Sequence, residues 1–75
     1  MSRISFYDAC KIACIKAQTS LPKLFEEMQK QQGQDCSYNY VYQVLKGQRI
    51  NETIVSWYSN RLAIYLKEIE FTPLP

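Results

Sequence analysis

Asn39 and Gln43 are the side chains of this sequence with the most specific chemical use. They are four residues apart, so in a helix both project from the same side. An amide side chain can form two hydrogen bonds with the N6 and N7 edge of adenine in the DNA major groove. Tyr38 and Tyr42 have the same spacing and offer hydroxyls to phosphates or rings to thymine methyl groups. The alternatives are a solvated polar face for the amides and anchors in a protein interface for the tyrosines.

The surrounding stretch predicts one short helix, residues 37–46, that would carry these four side chains. Its buried side is indicated by aliphatic residues spaced three and four apart, namely Val41, Val44 and Leu45. Ser37 is a favourable N-cap, and Gly47 is placed to end the helix in a left-handed conformation. Lys46 and Arg49 follow at its end, where they suit either phosphate contact or a solvated helix terminus.

Length and composition limit the class of protein to which that helix can belong. Seventy-five residues make a single domain with one modest core, and 47% hydrophobic with 21% charged residues is ordinary for a folded chain. Two glycines and three prolines favour long uninterrupted helices over many short strands. The net charge of +2 is modest for a nucleic-acid-binding protein, although residues 1–25 are basic and the segment from Glu52 onward is slightly acidic.

Three cysteines and the absence of histidine bear on redox state and metal binding. An odd number of cysteines predicts reduced thiols in a cytosol rather than a disulfide framework. Cys10 and Cys14 are four residues apart and Cys36 is remote, so a zinc site lacks a fourth ligand of plausible spacing. We interpret the cysteines as buried structural residues and expect neither a metal nor a cofactor.

The residues present disfavour both catalysis and membrane insertion. The sequence has no histidine, glycine-rich phosphate loop or metal-ligand set, and Glu26 and Glu27 diverge by about 100° on a helix. No stretch approaches the ~18 apolar residues that a membrane span requires, and no secretory start is recognised. We therefore expect a cytoplasmic protein that is not an enzyme.

Apolar residues that recur between Ile4 and Ala17 predict the first helix of the scaffold. Ser5 is placed to cap it, with Asp8 three residues later in a capping-box arrangement that also suits the helix dipole. Apolar side chains recur at helical spacing and are expected to form its buried stripe. They are Tyr7, Cys10, Cys14 and Ala17, widened by Phe6, Ile12 and Ala13.

The second helix is predicted to begin with Thr19 or Ser20 as its cap and to hold Pro22 in its first turn. It is expected to end at Gly33. Its apolar stripe consists of Leu21, Leu24, Phe25 and Met28. Cys36 is then expected to pack inward just before the third helix.

Residues 52–69 are predicted to be helical, with Asn51 as their cap. Their apolar face comprises Ile54, Tyr58, Leu62, Tyr65, Leu66 and Ile69. Ser59 and Asn60 are compatible with a break, so the segment is either one helix or two. The helical spacing of Trp57, Tyr58 and Tyr65 predicts core residues rather than a stacking platform, and Tyr40 is likewise expected to be partly buried.

Residues 71–75 are predicted to be a tail, because their prolines are incompatible with a helix. Phe71 and Leu74 are expected to pack on the body of the domain or on a second subunit.

The stretch from Cys36 to Arg49 resembles the helix-turn-helix of Cro and repressor (XRE-like) proteins from phages and mobile elements. The resemblance rests on Ser37 as cap, on Val41 and Val44 as buried positions, and on the glycine turn with its basic flank at 46–49. It implies a compact all-α bundle of four or five helices, lambda-repressor-like. Residues 1–70 would form this single domain.

The resemblance also implies roles for the motif residues. The family places the residues at Tyr38, Asn39, Tyr42 and Gln43 at base edges. It places those at Ser20, Lys23, Ser37, Lys46, Gln48 and Arg49 near phosphates. The expected function is therefore sequence-specific regulation of transcription. The protein would act as a homodimer on double-stranded DNA, with half-sites about one helical turn apart.

Two features depart from the family pattern. Residues 29–35 form a longer spacer than the family's short glycine turn, so the second helix is longer or its turn is open. Tyrosines at positions 38, 40 and 42 are unusual on a face that is generally rich in Gln, Ser, Thr and Arg. Two other functions therefore remain open. One is a protein-interaction module, such as an antirepressor or a partner of another regulatory protein, and the other is a recombination accessory factor that bends DNA.

Overall fold

Residues 3–33 and 36–74 are described by a computed structural model, and within them the chain is mainly helical. In chain order the elements are β1 (Ile4–Ser5), α1 (Phe6–Lys16), α2 (Leu21–Gln32), α3 (Tyr38–Leu45), α4 (Glu52–Arg61), α5 (Ala63–Leu66) and β2 (Phe71–Thr72). The predicted helical fold is confirmed at this level. The short pair of strands was not predicted.

Side-chain caps determine where the first four helices begin. Each cap oxygen accepts a hydrogen bond from the backbone N–H three residues later, which satisfies an amide that the helix leaves unpaired. The caps are Ser5 (3.2 Å), Ser20 (3.4 Å), Ser37 (3.2 Å) and Asn51 (3.2 Å). All four predicted starts are confirmed, with Ser20 rather than Thr19 capping α2.

Two glycines follow helices in left-handed conformations, as predicted. Gly33 ends α2 with a φ of 64°, and Gly47 follows α3 with a φ of 83°. A Cβ atom added to Gly47 would lie 3.3 Å from Cδ2 of Leu74, so the space beside this turn is already filled. Gly47 is therefore required both for its backbone conformation and for the close approach of the tail.

All five helices contribute side chains to one core. Its buried residues are Phe6, Ala9, Cys10, Ala13, Cys14, Leu21, Leu24, Met28, Val41, Val44, Leu45, Ile54, Tyr58, Leu62 and Leu66. The predicted burial of Cys10 and Cys14 is confirmed, and Cys36 is partly buried. Ile12 is a correction, because it is 39% exposed. It follows Cys10 by about 200° around the helix and so lies on the opposite side of α1.

The C-terminal helical segment is divided, but not at the predicted place. Ser59 and Asn60 are both inside α4, and the break falls at Leu62, whose ψ is 12°. Leu62 N–H still donates to the carbonyl of Tyr58 at 3.0 Å, while Leu66 N–H donates to the carbonyl of Leu62 at 2.8 Å. The change of direction at Leu62 keeps both leucines in the core, since Leu62 is fully buried and Leu66 is 5% exposed.

Residues at the two ends of the domain meet in a parallel pair of strands. Ile4 is in register with Phe71, and Ser5 is in register with Thr72. The extended backbone of the cap Ser5 (ψ 161°) places Ile4 in the strand, and α1 begins at Phe6. The ring of Phe71 packs 5.7 Å from that of Phe6, so the predicted packing of the tail on the body is confirmed.

The hydroxyl of Tyr58 is buried without a hydrogen-bond partner among the described residues. Burial raises the pKa of this phenol, and the nearby Tyr38 and cysteines add to the rise. Burial also raises the pKa of the Cys10 thiol to about 12, with a further contribution from Cys14. These groups are therefore neutral in the folded protein at physiological pH.

Tyr58→Phe is expected to raise the free energy of unfolding by about 1 kcal/mol. An unpaired buried hydroxyl costs about 1–3 kcal/mol, and the phenyl ring keeps the packing of the tyrosine. Urea denaturation at pH 7 measures the change, with Tyr65→Phe at a half-buried position as the control. A less stable Tyr58→Phe variant would show that the hydroxyl has a partner, such as a bound water.

Candidate nucleic-acid interface

Helix α3 has one fully buried side and one side that faces outward. Val41, Val44 and Leu45 are at most 2% exposed and define the buried side. Since successive residues are about 100° apart around a helix, Asn39, Gln43 and Lys46 lie opposite them. Tyr38 and Tyr42 then lie on one flank and Tyr40 on the other. Asn39 and Lys46 are exposed and Gln43 is partly exposed, which agrees with this arrangement.

Tyr38 differs from the other predicted base-reading residues in its surroundings. Its ring packs edge-on against Phe25 of α2, with centroids 5.5 Å apart and an interplanar angle of 90°. Burial raises the pKa of its phenol, with smaller contributions from Tyr7, Cys14 and Tyr42. Tyr38 is therefore half-buried at the junction between α2 and α3, whereas Asn39 is exposed, and a role for Tyr38 in base reading stays a prediction.

Tyr42 belongs to a cluster of two tyrosines and two lysines that joins α3 to α1. Its ring packs edge-on against Tyr7, with centroids 5.0 Å apart. The Nζ atom of Lys46 donates to the Tyr42 hydroxyl at 3.2 Å and lies 5.3 Å from the Tyr7 centroid. Lys11 Nζ lies 5.5 Å from the same centroid. These distances are within the range of cation–π attraction. We call these four residues the tyrosine–lysine cluster.

The charge of Lys46 is stabilised at this position. Its hydrogen bond to Tyr42 raises the pKa of the ammonium group, and the charges of Tyr42, Tyr7 and Asp8 act in the same direction. The negative charge of Asp8 thus acts on Lys46 at this side of α3. Lys46 is fully charged at neutral pH and remains exposed to solvent.

The side chain of Gln43 is hydrogen-bonded to Arg49, one of the residues predicted to contact a phosphate. The turn at Gly47 reverses the chain, and Gln48 N–H donates to the Gln43 carbonyl at 2.8 Å. Arg49 Nε then donates to the Gln43 side-chain oxygen at 3.2 Å. The bond engages the amide oxygen of Gln43.

The remaining predicted phosphate residues lie at helix starts and in the turn. Ser20 and Ser37 use their hydroxyl oxygens as caps, and Ser20 lines a groove of about 260 Å³ together with Tyr38 and Lys11. Lys23 is exposed in the first turn of α2, and Gln48 is exposed after α3. The structure thus brings together Gln43 with Arg49, Tyr42 with Lys46, and Ser20 with Tyr38.

The spacer before α3 is accounted for mainly by a longer second helix. Helix α2 continues to Gln32, and Gln34 and Asp35 lie outside the described residues. Its last turns are tied to the rest of the domain. Gln29 Nε2 donates to the Cys36 carbonyl at 2.7 Å, and Trp57 Nε1 donates to Gln31 at 3.0 Å. Arg61 pairs with Glu27 at 2.9 Å, so α4 is fastened to α2 as well.

Two residues beside this surface, Tyr7 and Lys11, were not among the predicted site residues. A signal for them exists in the sequence, because a tyrosine precedes a lysine by four residues in both α1 and α3, at 7/11 and 42/46. This spacing places each lysine over the ring on its own helix. That the two pairs meet depends on how α1 packs against α3, which local spacing does not give.

Metal binding and membrane insertion receive no support from the described residues. Among residues 3–33 and 36–74 no cluster of His, Cys, Asp or Glu is placed to hold a metal ion. No helix in the same ranges combines the length and apolarity needed to cross a membrane.

Comparisons of this chain with protein-family models, curated proteins and solved structures give no match.

Proposed function

We propose that this protein is a sequence-specific DNA-binding regulator of transcription, of the Cro and repressor type, which reads the major groove with residues 37–46. The observation that carries the proposal is the outward side of α3. Asn39 and Gln43 project there, flanked by Lys46 and Arg49 and opposite a fully buried side. An α-helix with its side chains is about 10–12 Å across, so α3 fits a major groove about 12 Å wide.

Each polar residue of this surface has a role in the proposal. Asn39 and Gln43 bond adenine edges, and Tyr42 contacts the groove from the flank. Tyr38 supports the helix from the α2 junction. The phosphates are contacted by the remaining predicted residues, Ser20, Lys23, Ser37, Lys46, Gln48 and Arg49. These contacts fix the position of α3 but do not read sequence.

The bond between Arg49 and Gln43 has to open for Gln43 to bond adenine through both amide atoms. In the free protein Arg49 occupies the oxygen that would accept from adenine N6. A phosphate beside Arg49 offers this cation a stronger, charge-assisted partner. We infer that Arg49 moves to the phosphate on binding and releases the amide to the base.

A dimer is part of the proposal. One helix of eight residues reads only a few base pairs, and two copies on a near-palindromic operator double the sequence that is read. The half-sites would lie about one helical turn apart. We place the protein in the cytoplasm, where such an operator is accessible.

A protein-interaction module is the second candidate function. It is favoured by Ile50, which is 84% exposed directly after Arg49, beside a cavity of about 200 Å³ that Leu74 also lines. The tyrosines of α3 give this candidate function less support than their number in the sequence indicates. Tyr38 and Tyr42 already pack on Phe25 and Tyr7, so part of each ring is engaged within the domain.

Binding of the purified protein to DNA over a series of salt concentrations tests the proposal. Retardation of duplex DNA is expected at low salt. If Lys23, Lys46 and Arg49 each neutralise one phosphate, the slope of log K against log salt is about −2.7 per protomer. Selection from a random-sequence library should then enrich a near-palindromic site. Failure to retard any fragment at low salt would reject DNA binding and leave the interaction module.

A further inference from the structure

We propose that Lys11 of α1 and Lys46, the C-cap of α3, form a binding site for the phosphodiester backbone of nucleic acid, positioned by the Tyr7 ring that both ammonium groups approach. The site extends the DNA-contacting surface from α3 onto α1, and it rests on the proposed function. Lys11 and Lys46 would contact phosphates directly. Tyr7 is a positioning residue, which acts through the two lysines.

The geometry brings two cations from different helices to one ring. Lys11 Nζ and Lys46 Nζ lie 5.5 and 5.3 Å from the Tyr7 centroid, so they are at most about 11 Å apart. DNA carries one charge per ~3.4 Å of axis on each strand, so two cations within this distance of each other can contact nearby phosphates of one strand. Since Lys46 also bonds Tyr42 on α3, the pair is continuous with the outward side of the recognition helix.

Neither lysine is neutralised by an ion pair within residues 3–33 and 36–74. The basic side chains of the two ion pairs there are Lys16, with Glu68, and Arg61, with Glu27. Asp8 acts on Lys46 through its charge but forms no salt bridge with it. Two cations that approach one ring without a salt-bridged carboxylate repel each other, and a bound phosphate reduces that repulsion.

Lys11→Gln tests the site, and Lys30→Gln is its matched control. Both lysines are exposed on helices, and each substitution removes one positive charge. Lys30 differs because it lies in the last turn of α2 and takes no part in the tyrosine–lysine cluster. Lys11→Gln is expected to reduce the steepness of the salt dependence by about 0.9 per protomer, or about 1.8 for the proposed dimer. The ratio of wild-type to variant affinity of the dimer then rises about 12-fold between 200 and 50 mM salt. Lys30→Gln should leave both quantities unchanged.

Variants of Tyr7 test the positioning role. Tyr7→Phe keeps the ring and should retain the salt dependence of the wild type. Tyr7→Leu keeps an apolar side chain but removes the ring, so a shallower salt dependence is expected on every DNA sequence. A purely structural role of Tyr7 would change the free energy of unfolding without changing that slope.

The possible results separate this site from the proposed function. If the wild-type protein binds no duplex at low salt, both proposals fail together. If it binds and Lys11→Gln behaves like Lys30→Gln, the site on α1 is rejected while DNA binding through α3 stands. A shallower slope for Lys11→Gln and Tyr7→Leu, with wild-type behaviour of Tyr7→Phe, supports the site.

Discussion

Replacing Asn39 and Gln43 together with alanine should lower the preference for the selected DNA site over a scrambled duplex by about 2–6 kcal/mol, because each bidentate pair contributes about 1–3 kcal/mol. Both side chains are on the outward side of α3 and neither is part of the core, so the variant should fold normally. The measurement compares the affinities of wild type and variant for the two duplexes at one salt concentration.

Two controls separate base reading from a general loss of affinity. The double variant Gln32→Ala and Asn60→Ala removes the same two side-chain types from exposed positions on α2 and α4, and it should bind like the wild type. Arg49→Ala removes a cation and should weaken the selected and scrambled duplexes alike. Equal weakening of both duplexes by the Asn39 and Gln43 double variant would contradict sequence reading. That result would favour the recombination accessory factor.

Leu62→Ala should lower the free energy of unfolding by about 2–5 kcal/mol. Leu62 is fully buried at the break between α4 and α5, where its side chain faces the core and its backbone links both helices. A domain of this size has only about 4–11 kcal/mol of stability in total. The midpoint of thermal unfolding is therefore expected to fall by roughly 10–30 °C.

Ile64→Ala is the matched control for that substitution. Ile64 is two residues further along the chain and 70% exposed, so its truncation should change stability by less than about 0.5 kcal/mol. Thermal and urea unfolding followed by circular dichroism measure both variants. A loss below about 1 kcal/mol for Leu62→Ala would mean that the neighbouring helices close the cavity, contrary to tight packing at this break.

Much of the fold could be predicted because its signals are local. Ser5, Ser20, Ser37 and Asn51 each cap a helix through an oxygen that bonds an amide three residues away, so short sequence windows contain the information. The left-handed turn at Gly47 follows from the conformational freedom of glycine in the same way.

The missed features depend on contacts between distant parts of the chain. Ile4 has the spacing of a helical residue, but its pairing with Phe71 removes it from α1. Ser59 and Asn60 have lower helix propensity than their neighbours, yet the break occurs at Leu62, whose burial decides the direction of the chain. Local propensity is a weak guide wherever tertiary packing determines the backbone.

The candidate site likewise combines features that local spacing predicts with features that depend on contacts between distant parts of the chain. The outward positions of Asn39 and Gln43 follow from helical spacing against the buried Val41 and Val44. The surroundings of Tyr38 do not follow from helical spacing, because they depend on the ring of Phe25 on another helix. The tyrosine–lysine cluster likewise exists only through the packing of α1 against α3.

The contact of Leu74 with the Gly47 turn has a consequence for the order of folding. The paired strands join Ile4 to Phe71 across 67 positions of the chain, and contacts of such long range form late because closing a long loop is entropically costly. Helices α1 to α4 close through shorter loops and can assemble earlier. Leu74 belongs to the same tail, so its packing beside Gly47 is expected to follow that pairing. The turn itself is closed by local hydrogen bonds from Gly47 and Gln48, so the outward side of α3 can form before the tail docks.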